Sequence, residues 1–247
     1  MRDKIAIAAE HLRLAHSVAV LTGAGVSAES DIPTFRDALT GLWSKYDPTQ
    51  LATPEAFARD PALVCRWYDE RRLRCATKEP NAAHHALVAM ERRVSEAGGS
   101  FTLITQNVDG LHARAGSRNL VEIHGSLSKW RCTGTGFEFE AGPEPFDEHP
   151  PRSASGHPMR PGVVWFGEAL PARALARAME ALSACDLFVS IGTSAVVYPA
   201  AGFVHVARQA GAVTIEINAE ATPISSDVDL AIHARAGEAL PAIVAAW

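Results

Sequence analysis

Short apolar runs alternate along the chain with longer segments in which apolar residues recur with the period of a helix. The short runs predict buried β-strands over residues 17–23, 101–107, 185–192 and 212–218. The longer segments predict helices over residues 1–16, 81–98, 171–184, 199–211 and 237–247. This alternation predicts an α/β fold with a Rossmann-like, doubly wound parallel sheet.

Two segments interrupt the alternation. Residues 37–79 are polar and aromatic with helical stretches, and residues 128–160 are rich in Gly, Pro and Ser and contain the candidate strand pair KWRCT and FEFE. We predict that these two insertions form a smaller second lobe, and that the chain as a whole, 1–247, is a single domain. The large lobe then consists of residues 1–36, 80–127 and 161–247.

Composition narrows the class of protein. The chain has 247 residues, of which 47% are hydrophobic and 21% charged, and its formal net charge is −5. Because nucleic-acid binding requires a basic surface, we expect no nucleic-acid partner. No apolar run approaches the ~20 residues of a membrane span, and no signal-peptide core is evident, so we expect no membrane association and a cytoplasmic location.

A glycine-rich turn, GAGVSA at 23–28, follows the first predicted strand. It matches the G-x-G-x-x-G/A pattern of dinucleotide sites, in which Gly23 permits a tight turn and Gly25 lets the backbone approach a pyrophosphate at a helix start. The acidic residue that usually follows ~20 positions later is not evident. A strand-to-helix turn that merely needs glycine explains the pattern equally well.

Polar residues stand at the ends of other predicted strands, where ligands of parallel sheets bind. They are Gln106, Asn107 and Asp109 in TQNVDG, Gly192, Thr193 and Ser194 in GTS, and Asn218 and Glu220 in INAE. Each cluster taken singly also fits a capped turn. His124 follows the short apolar strand VEI; it is either a structural histidine or a general base that works near neutral pH.

Six segments in order resemble the motifs of the sirtuin family, and the resemblance covers nearly the whole chain. They are GAGVSAESDIPTFR, TQNVDGLHARAG, EIHGSL, RPGVVWFGE, IGTS and INAE. The resemblance implies a single catalytic domain in which NAD is consumed as a reactant. An acyl-lysine oxygen attacks C1' of the nicotinamide ribose and nicotinamide leaves. The 2'-oxygen of the ribose then attacks the acyl carbon, and water completes the release of free lysine and O-acyl-ADP-ribose.

The resemblance also implies the roles of individual residues. His124 acts as the general base on the ribose hydroxyls, Asn107 and Asp109 hold the nicotinamide and its ribose, and Phe35 shields the reactive ribose. The residues implied to bind NAD are Gly23, Ala24, Gly25, Ser27, Ala28, Pro33, Phe35, Arg36, Gln106, Asn107, Asp109, Gly192, Thr193, Ser194, Asn218, Glu220 and Ala236.

The implied partner is an acylated lysine side chain of a protein, whose backbone adds as a strand beside VVWFGE. Tyr68-x-x-Arg71 resembles the pair found in the sirtuin branch that removes succinyl, malonyl and glutaryl groups, because an arginine binds a distal carboxylate. Alternatively, Arg71 belongs to a solvated helix face with several arginines. The implied substrate residues are Ala52, Tyr68, Arg71, Val164, Phe166, Gly167 and Glu168.

Two departures from the family stand out. Most sirtuins hold a structural zinc with two C-x-x-C pairs, whereas here the pairs read Cys132–Thr135 and Arg152–Ser155. A tetrahedral zinc site needs four ligands, and the spacing of His149 and His157 matches no zinc pattern, so we expect no metal. Cys65, Cys75 and Cys185 form no C-x-x-C pair either, and we expect buried or partly buried thiols. Asp31 replaces a glycine of the family motif.

Three other functions compete with an NAD-dependent desuccinylase and deacetylase. A protein ADP-ribosyltransferase uses the same fold, but the presence of His124, Tyr68 and Arg71 argues against it as the main activity. A dehydrogenase that transfers hydride from a reduced nicotinamide is a second. A non-catalytic module that binds NAD or acyl-lysine is a third.

Overall fold

The computed structural model describes residues 1–33 and 51–247. The helices are α1 (Arg2–Leu14), α2 (Pro54–Arg59), α3 (Pro61–Ala76), α4 (Ala82–Glu96), α5 (Leu111–Ala115), α6 (Ala172–Ala184), α7 (Phe203–Gln209) and α8 (Ala236–Ala246). The strands are β1 (Ser17–Thr22), β2 (Ser100–Thr105), β3 (Leu120–Glu122), β4 (Gly125–Cys132), β5 (Glu138–Glu140), β6 (Met159–Val163), β7 (Leu187–Ile191), β8 (Val213–Asn218) and β9 (Leu230–His233). No helix of the described residues is long and apolar enough to cross a membrane.

The large sheet has six strands in the order β3-β2-β1-β7-β8-β9, and every neighbouring pair is parallel. This confirms the predicted doubly wound parallel sheet. The strand order reverses between β1 and β7, where sheets of this type bind ligands beyond the carboxyl ends of their strands. The sequence did not predict β9, an edge strand of four residues in which only Ile232 is fully buried.

Each face of this sheet has its own apolar core. On one face, α1, α4 and α8 pack against the sheet through residues such as Leu12, Leu87 and Leu240. On the other, α6 and α7 do so through Leu182 and Phe203. Burial of one such side chain stabilises the fold by about 1.5–3 kcal/mol, so covering both faces stabilises the sheet that carries the site.

Caps determine where several helices begin. The side-chain oxygen of Asn81 accepts a hydrogen bond from the Ala83 amide and so caps the start of α4. Pro171 lies just before α6 rather than inside it, in extended backbone that its ring favours. The helix predicted over 199–211 is shorter, because its first residues form a separate 3₁₀ turn at Ala200–Gly202.

A second sheet is antiparallel, with the order β5-β4-β6. Trp130 of β4 lies opposite Phe139 of β5, which confirms the predicted KWRCT and FEFE strand pair. This sheet shares a third apolar core with α2 and α3, in which Trp67 and Trp165 are also buried. The described parts of 37–79 and 128–160 therefore pack together, while the boundaries of the two lobes stay a prediction.

A buried ionic cluster ties α3 to the chain between β5 and β6. One carboxylate oxygen of Asp69 accepts hydrogen bonds from Arg72 Nε at 3.0 Å and Nη2 at 2.6 Å. The other accepts from the Phe146 amide at 3.0 Å and lies 3.1 Å from His149 Nε2. Arg72 in turn donates to the carbonyl oxygens of Gly142 and Glu144. This cluster holds the segment 142–149 against α3.

Candidate active site

The loops that follow β1 and β7 touch at the point where the strand order reverses. The Gly25 amide donates to the Gly192 carbonyl oxygen at 2.8 Å, and a Cβ on Gly25 would lie 2.8 Å from that same oxygen. Gly192 itself has a φ of +59°, in the left-handed region that favours glycine. The observed reason for glycine at 25 is thus the approach of one loop to another; contact with a pyrophosphate stays a prediction.

Beyond Gly23 the chain forms two 3₁₀ turns, Ala24–Val26 and Ala28–Ser30, instead of the regular helix start that the sequence predicted. Asp31 ends the second turn with a φ of +54°. Glycine adopts this left-handed conformation freely, and aspartate is among the few other residues that tolerate it. This explains why the family motif has glycine there. Pro33 is half-buried, and Phe35 and Arg36 lie outside the described residues.

A hydrogen-bonded cluster joins the loop after β1 to the loop after β2. Ser27 Oγ donates to Asp109 Oδ2 at 2.8 Å, and Asn107 Nδ2 lies 3.1 Å from both Ser27 Oγ and the Gly23 carbonyl oxygen. The Leu111 amide binds the second oxygen of Asp109 at 2.9 Å. Burial raises the pKa of the Asp109 carboxyl. The structure therefore brings together three polar side chains that the sequence singled out at separate positions.

His124 lies beside this cluster, and its ring is oriented by the backbone. Its Nδ1 is 3.1 Å from the Gln106 carbonyl oxygen. A carbonyl oxygen only accepts, so we assign the proton to Nδ1, which leaves the lone pair on Nε2. Burial lowers the pKa of His124, which keeps the ring neutral near pH 7. Gln106 also donates to Thr193 Oγ1 at 3.0 Å and so connects His124 to the loop after β7.

The remaining predicted NAD residues lie further along the same edge of the sheet. Asn218 ends β8 and donates to the Glu220 carbonyl oxygen at 2.9 Å. Ala236 is buried at the start of α8. The side chains of Ala28, Ser194 and Glu220 are exposed at this edge.

A buried polar layer behind the site was not predicted. Thr22 and Thr105 are paired in the register of β1 and β2, and Thr22 Oγ1 donates to Thr105 Oγ1 at 2.8 Å. His112 Nε2 lies 2.9 Å from Thr22 Oγ1, and the Asn107 amide donates to Thr105 Oγ1 at 3.0 Å. The ring of His84 packs against that of His112, with the centroids 4.7 Å apart. The available signal was a threonine at the end of each of two neighbouring strands.

The two members of the Tyr-x-x-Arg pair lie together on α3. Tyr68 is buried, which raises the pKa of its hydroxyl to about 12. The Cζ atom of Arg71 lies 4.7 Å from the ring centroid of Trp67 and 5.7 Å from that of Tyr68. Of the other three arginines on this helix, Arg66 and Arg74 are exposed and Arg72 is buried. Arg71 itself is half-buried, so it is less solvated than Arg66 and Arg74.

The segment after β6 lies between His124 and Ala52, which stands two residues before α2. The Val164 amide donates to the His124 carbonyl oxygen, and the Phe166 amide donates to that of Ala52, both at 2.9 Å. Gly167 lies in the turn that follows. Glu168 accepts from Arg160 at 2.6 and 2.9 Å and from the Trp165 amide at 2.9 Å. Its carboxylate therefore braces the segment.

The positions of the family's zinc ligands come together only in part. Cys132 Sγ is 3.3 Å from Ser153 Oγ and 4.0 Å from Ser155 Oγ. Ser153, not the predicted Arg152, thus stands beside the cysteine. The hydrogen bond to Ser153 lowers the pKa of the Cys132 thiol to about 6. One thiol with two hydroxyls does not fit a tetrahedral zinc site, and no group of three His, Cys, Asp or Glu side chains within 1–33 and 51–247 is arranged to hold a metal.

Residues 23–199 match the model of the Sir2 family. An NAD-dependent protein deacylase of Thermus thermophilus is 49% identical over 238 residues, which cover 96% of this chain and 93% of the relative. A crystal structure of a Sir2 homologue in complex with NAD has a TM-score of 0.90 at 44% identity and covers 96% of this chain and 91% of its own. A structure of Sir2 bound to an acetylated peptide has a TM-score of 0.83 at 28% identity, with 96% and 95% covered.

Proposed function

The chain belongs to the Sir2 family, the sirtuins, and we propose that it removes acyl groups from protein lysine side chains while consuming NAD. The observation that carries this proposal is the position of His124 beside the cluster of Ser27, Asn107 and Asp109 at the switch point of the sheet. A relative that is 49% identical over 96% of this chain is an NAD-dependent protein deacylase.

The donor set of the site fits NAD, which binds as a reactant. When bound, NAD supplies an electrophilic ribose carbon and a nicotinamide leaving group. Asn107 and Asp109, which Ser27 fixes in place, hold the nicotinamide and its ribose in an orientation suited to attack. The adenosine half of NAD is held by Gly192, Thr193, Ser194, Asn218, Glu220 and Ala236.

His124 acts as the general base. Its Nε2 accepts the proton that a ribose hydroxyl loses, because Nδ1 is occupied by its hydrogen bond to Gln106. Burial lowers the pKa of the ring, so the basic form predominates at neutral pH. A positioned general base of this kind accelerates proton transfer about 10²–10⁴-fold.

The acyl-lysine peptide binds as an added strand along the segment 164–168. Two backbone hydrogen bonds anchor this segment, one from Val164 to His124 and one from Phe166 to Ala52. Because Val164 adjoins His124, a peptide paired with the segment places its lysine beside His124. A Sir2 structure with a bound acetylated peptide supports a peptide site in this fold. Backbone pairing dominates such binding, and we expect loose sequence preference around the lysine.

The enzyme prefers acidic acyl groups, succinyl, malonyl or glutaryl, over acetyl. Arg71 binds the distal carboxylate, and the Tyr68 hydroxyl adds a hydrogen bond. The half-buried position of Arg71 against Trp67 and Tyr68 supports this role, because a guanidinium is held there next to a buried phenol. Ala52 is buried and small, which leaves room for a longer acyl chain.

His124→Ala separates an enzyme from a binding module. We expect the variant to lose turnover of acyl-lysine peptides and to retain the Kd for NAD within about threefold, because His124 meets the ribose only in the chemical step. NAD binding is measured by calorimetry and turnover by release of nicotinamide. Unchanged turnover would remove His124 from the mechanism.

A further inference from the structure

Trp165 carries a buried hydrogen-bond donor for which the described residues, 1–33 and 51–247, supply no hydrogen-bond acceptor. The residue is 2% exposed, and its indole Nε1 has no hydrogen-bond partner among the residues that the structure describes. The backbone amide of the same residue is satisfied by Glu168. A buried N–H without a partner is costly, so such a group in a binding region suggests that a ligand supplies the acceptor.

The indole lies next to the two residues proposed to bind the acyl group. Its ring centroid is 6.3 Å from that of Tyr68, and the indole offsets part of the rise that burial causes in the pKa of the Tyr68 hydroxyl. Phe57, 5.4 Å away, packs on the same ring. The indole therefore lies beside Tyr68, and Arg71 adjoins the ring of the same tyrosine.

The indole is held rigidly from its other side. The Cζ atom of Arg160 lies 3.4 Å from the ring centroid, and Arg160 forms a two-point ion pair with Glu168. A cation on the face of an indole draws electron density from the ring, which strengthens the N–H as a donor. The ring is thus both fixed and polarised.

We propose that the indole N–H of Trp165 is a third donor to the distal carboxylate of an acidic acyl group, alongside Arg71 and Tyr68. The inference rests on the proposed acyl preference. A carboxylate has about four lone-pair positions, of which an arginine fork takes two and a phenol hydroxyl one. The remaining position suits an indole N–H, and an acetyl group has no such oxygen to offer.

Trp165→Phe tests this role, because it keeps an aromatic ring and removes the N–H. We expect KM for a succinyl-lysine peptide to rise about 10-fold, as for loss of a hydrogen bond to a charged group. Kinetic constants for the acetyl-lysine peptide should stay within about twofold of wild type. Trp130→Phe is the matched control: the Nε1 of Trp130 also lacks an acceptor within the described chain, but its ring packs edge to face against Phe146, with the centroids 4.7 Å apart.

Three outcomes overturn the proposal. Equal losses on both peptides give Trp165 a structural role only. An unchanged succinyl KM removes the hydrogen bond. The third is a rise in the succinyl KM that Trp165→Phe causes in wild type but not in protein that already carries Tyr68→Phe. That result would mean that the indole acts through the tyrosine hydroxyl, whereas the proposal requires the rise in both backgrounds.

A second measurement uses the wild-type protein and covers the case in which Trp165→Phe does not fold. Succinyl-lysine peptide added without NAD should move one indole N–H resonance downfield in a ¹⁵N–¹H spectrum, while acetyl-lysine peptide should leave it in place. Absence of a selective shift overturns the proposal. Arg71→Met distinguishes failure of the tryptophan role from failure of the proposed acyl preference. If Arg71→Met impairs desuccinylation while Trp165→Phe does not, only the tryptophan role fails. If wild type shows no succinyl preference, both fail.

Discussion

The Nδ1 atom of His124 lies 3.1 Å from the carbonyl oxygen of Gln106, a residue 18 positions earlier in the chain. That hydrogen bond determines which ring nitrogen is the base, and burial of the same ring determines when it is neutral. Gln106 also binds Thr193 at the end of β7, so the base is positioned by two strands of the sheet. The proposed chemistry depends on this arrangement.

The pH dependence of the reaction should reflect the lowered pKa of His124. Its usual value is 6.5, and burial moves it downward, so the basic form persists as the pH falls below 6.5. We expect kcat/KM to stay level from neutral pH down through 6.5 and to fall only at lower pH, once the ring is protonated. A pH–rate profile checks this, and an acid limb centred at or above the usual value would contradict it.

Arg71→Met should impair desuccinylation about 100-fold while changing deacetylation less than about threefold, because it removes a charge-assisted, two-point contact with the carboxylate. Steady-state kinetics on paired peptides measure the ratio. Arg66→Met, which changes an exposed arginine of the same helix, should leave both rates unchanged. Equal loss on both peptides would remove the carboxylate role of Arg71.

The buried pair His84 and His112 should make the protein sensitive to acid. Burial lowers their pKa values to about 4 and about 3, from 6.5. Below pH 6.5 the unfolded chain binds protons that the folded protein excludes. The free energy of unfolding therefore decreases as the pH is lowered. Each histidine contributes a slope of about 1.4 kcal/mol per pH unit until the folded pKa is reached.

Urea unfolding between about pH 7 and about pH 5 measures this slope, and His84→Asn should make it shallower. In wild type the Asn81 amide donates to His84 Nδ1 at 3.2 Å. An asparagine at position 84 keeps a side-chain acceptor for this amide and removes the titrating ring. His85→Gln, which changes the exposed neighbouring histidine, is the control and should leave the slope unchanged. The same slope in wild type and His84→Asn would show that the buried pair does not govern acid stability.

Asp69→Asn should lower the free energy of unfolding by about 3–5 kcal/mol, because it leaves the buried Arg72 without its carboxylate. Denaturant unfolding measures the loss. Glu148→Gln, which alters an exposed ion pair with Arg152 at 4.0 Å, should cost less than about 1 kcal/mol. If both changes lowered the free energy of unfolding by similarly small amounts, the buried cluster would contribute little to the stability of the protein.

A chelator should leave Tm unchanged. The segment that carries zinc ligands in most sirtuins is held here by the cluster of Asp69 and Arg72 and by hydroxyl contacts to Cys132. Thermal unfolding with and without chelator checks this expectation. A fall in Tm on chelation, restored by zinc, would require a metal site in the protein.

The sequence predicted most of the framework because its signals are local. Buried strands such as β1 and β7 appear as apolar runs, and the polar residues at strand ends, among them Asn107 and Asp109, can only meet at one edge of a parallel sheet. His124 by itself was ambiguous and became a candidate base only through the resemblance to a family.

What the sequence did not predict depends on contacts between distant positions. Thr22 meets Thr105 because β1 and β2 pair in one register, and His112 joins them from α5. The need for glycine at 25 arises from the loop after β7. Asp69 gave no signal, because apart from Arg72 on the same helix its partners lie in a segment without regular periodicity more than 70 positions away.

The most direct test of the central claim is a product analysis by mass spectrometry with NAD and paired succinyl-lysine and acetyl-lysine peptides. We predict NAD-dependent loss of the acyl group, faster for succinyl, with one nicotinamide and one O-acyl-ADP-ribose formed per lysine released. An intact acyl-lysine peptide, with ADP-ribose transferred to protein or with no NAD consumed, would contradict the assignment of deacylase activity.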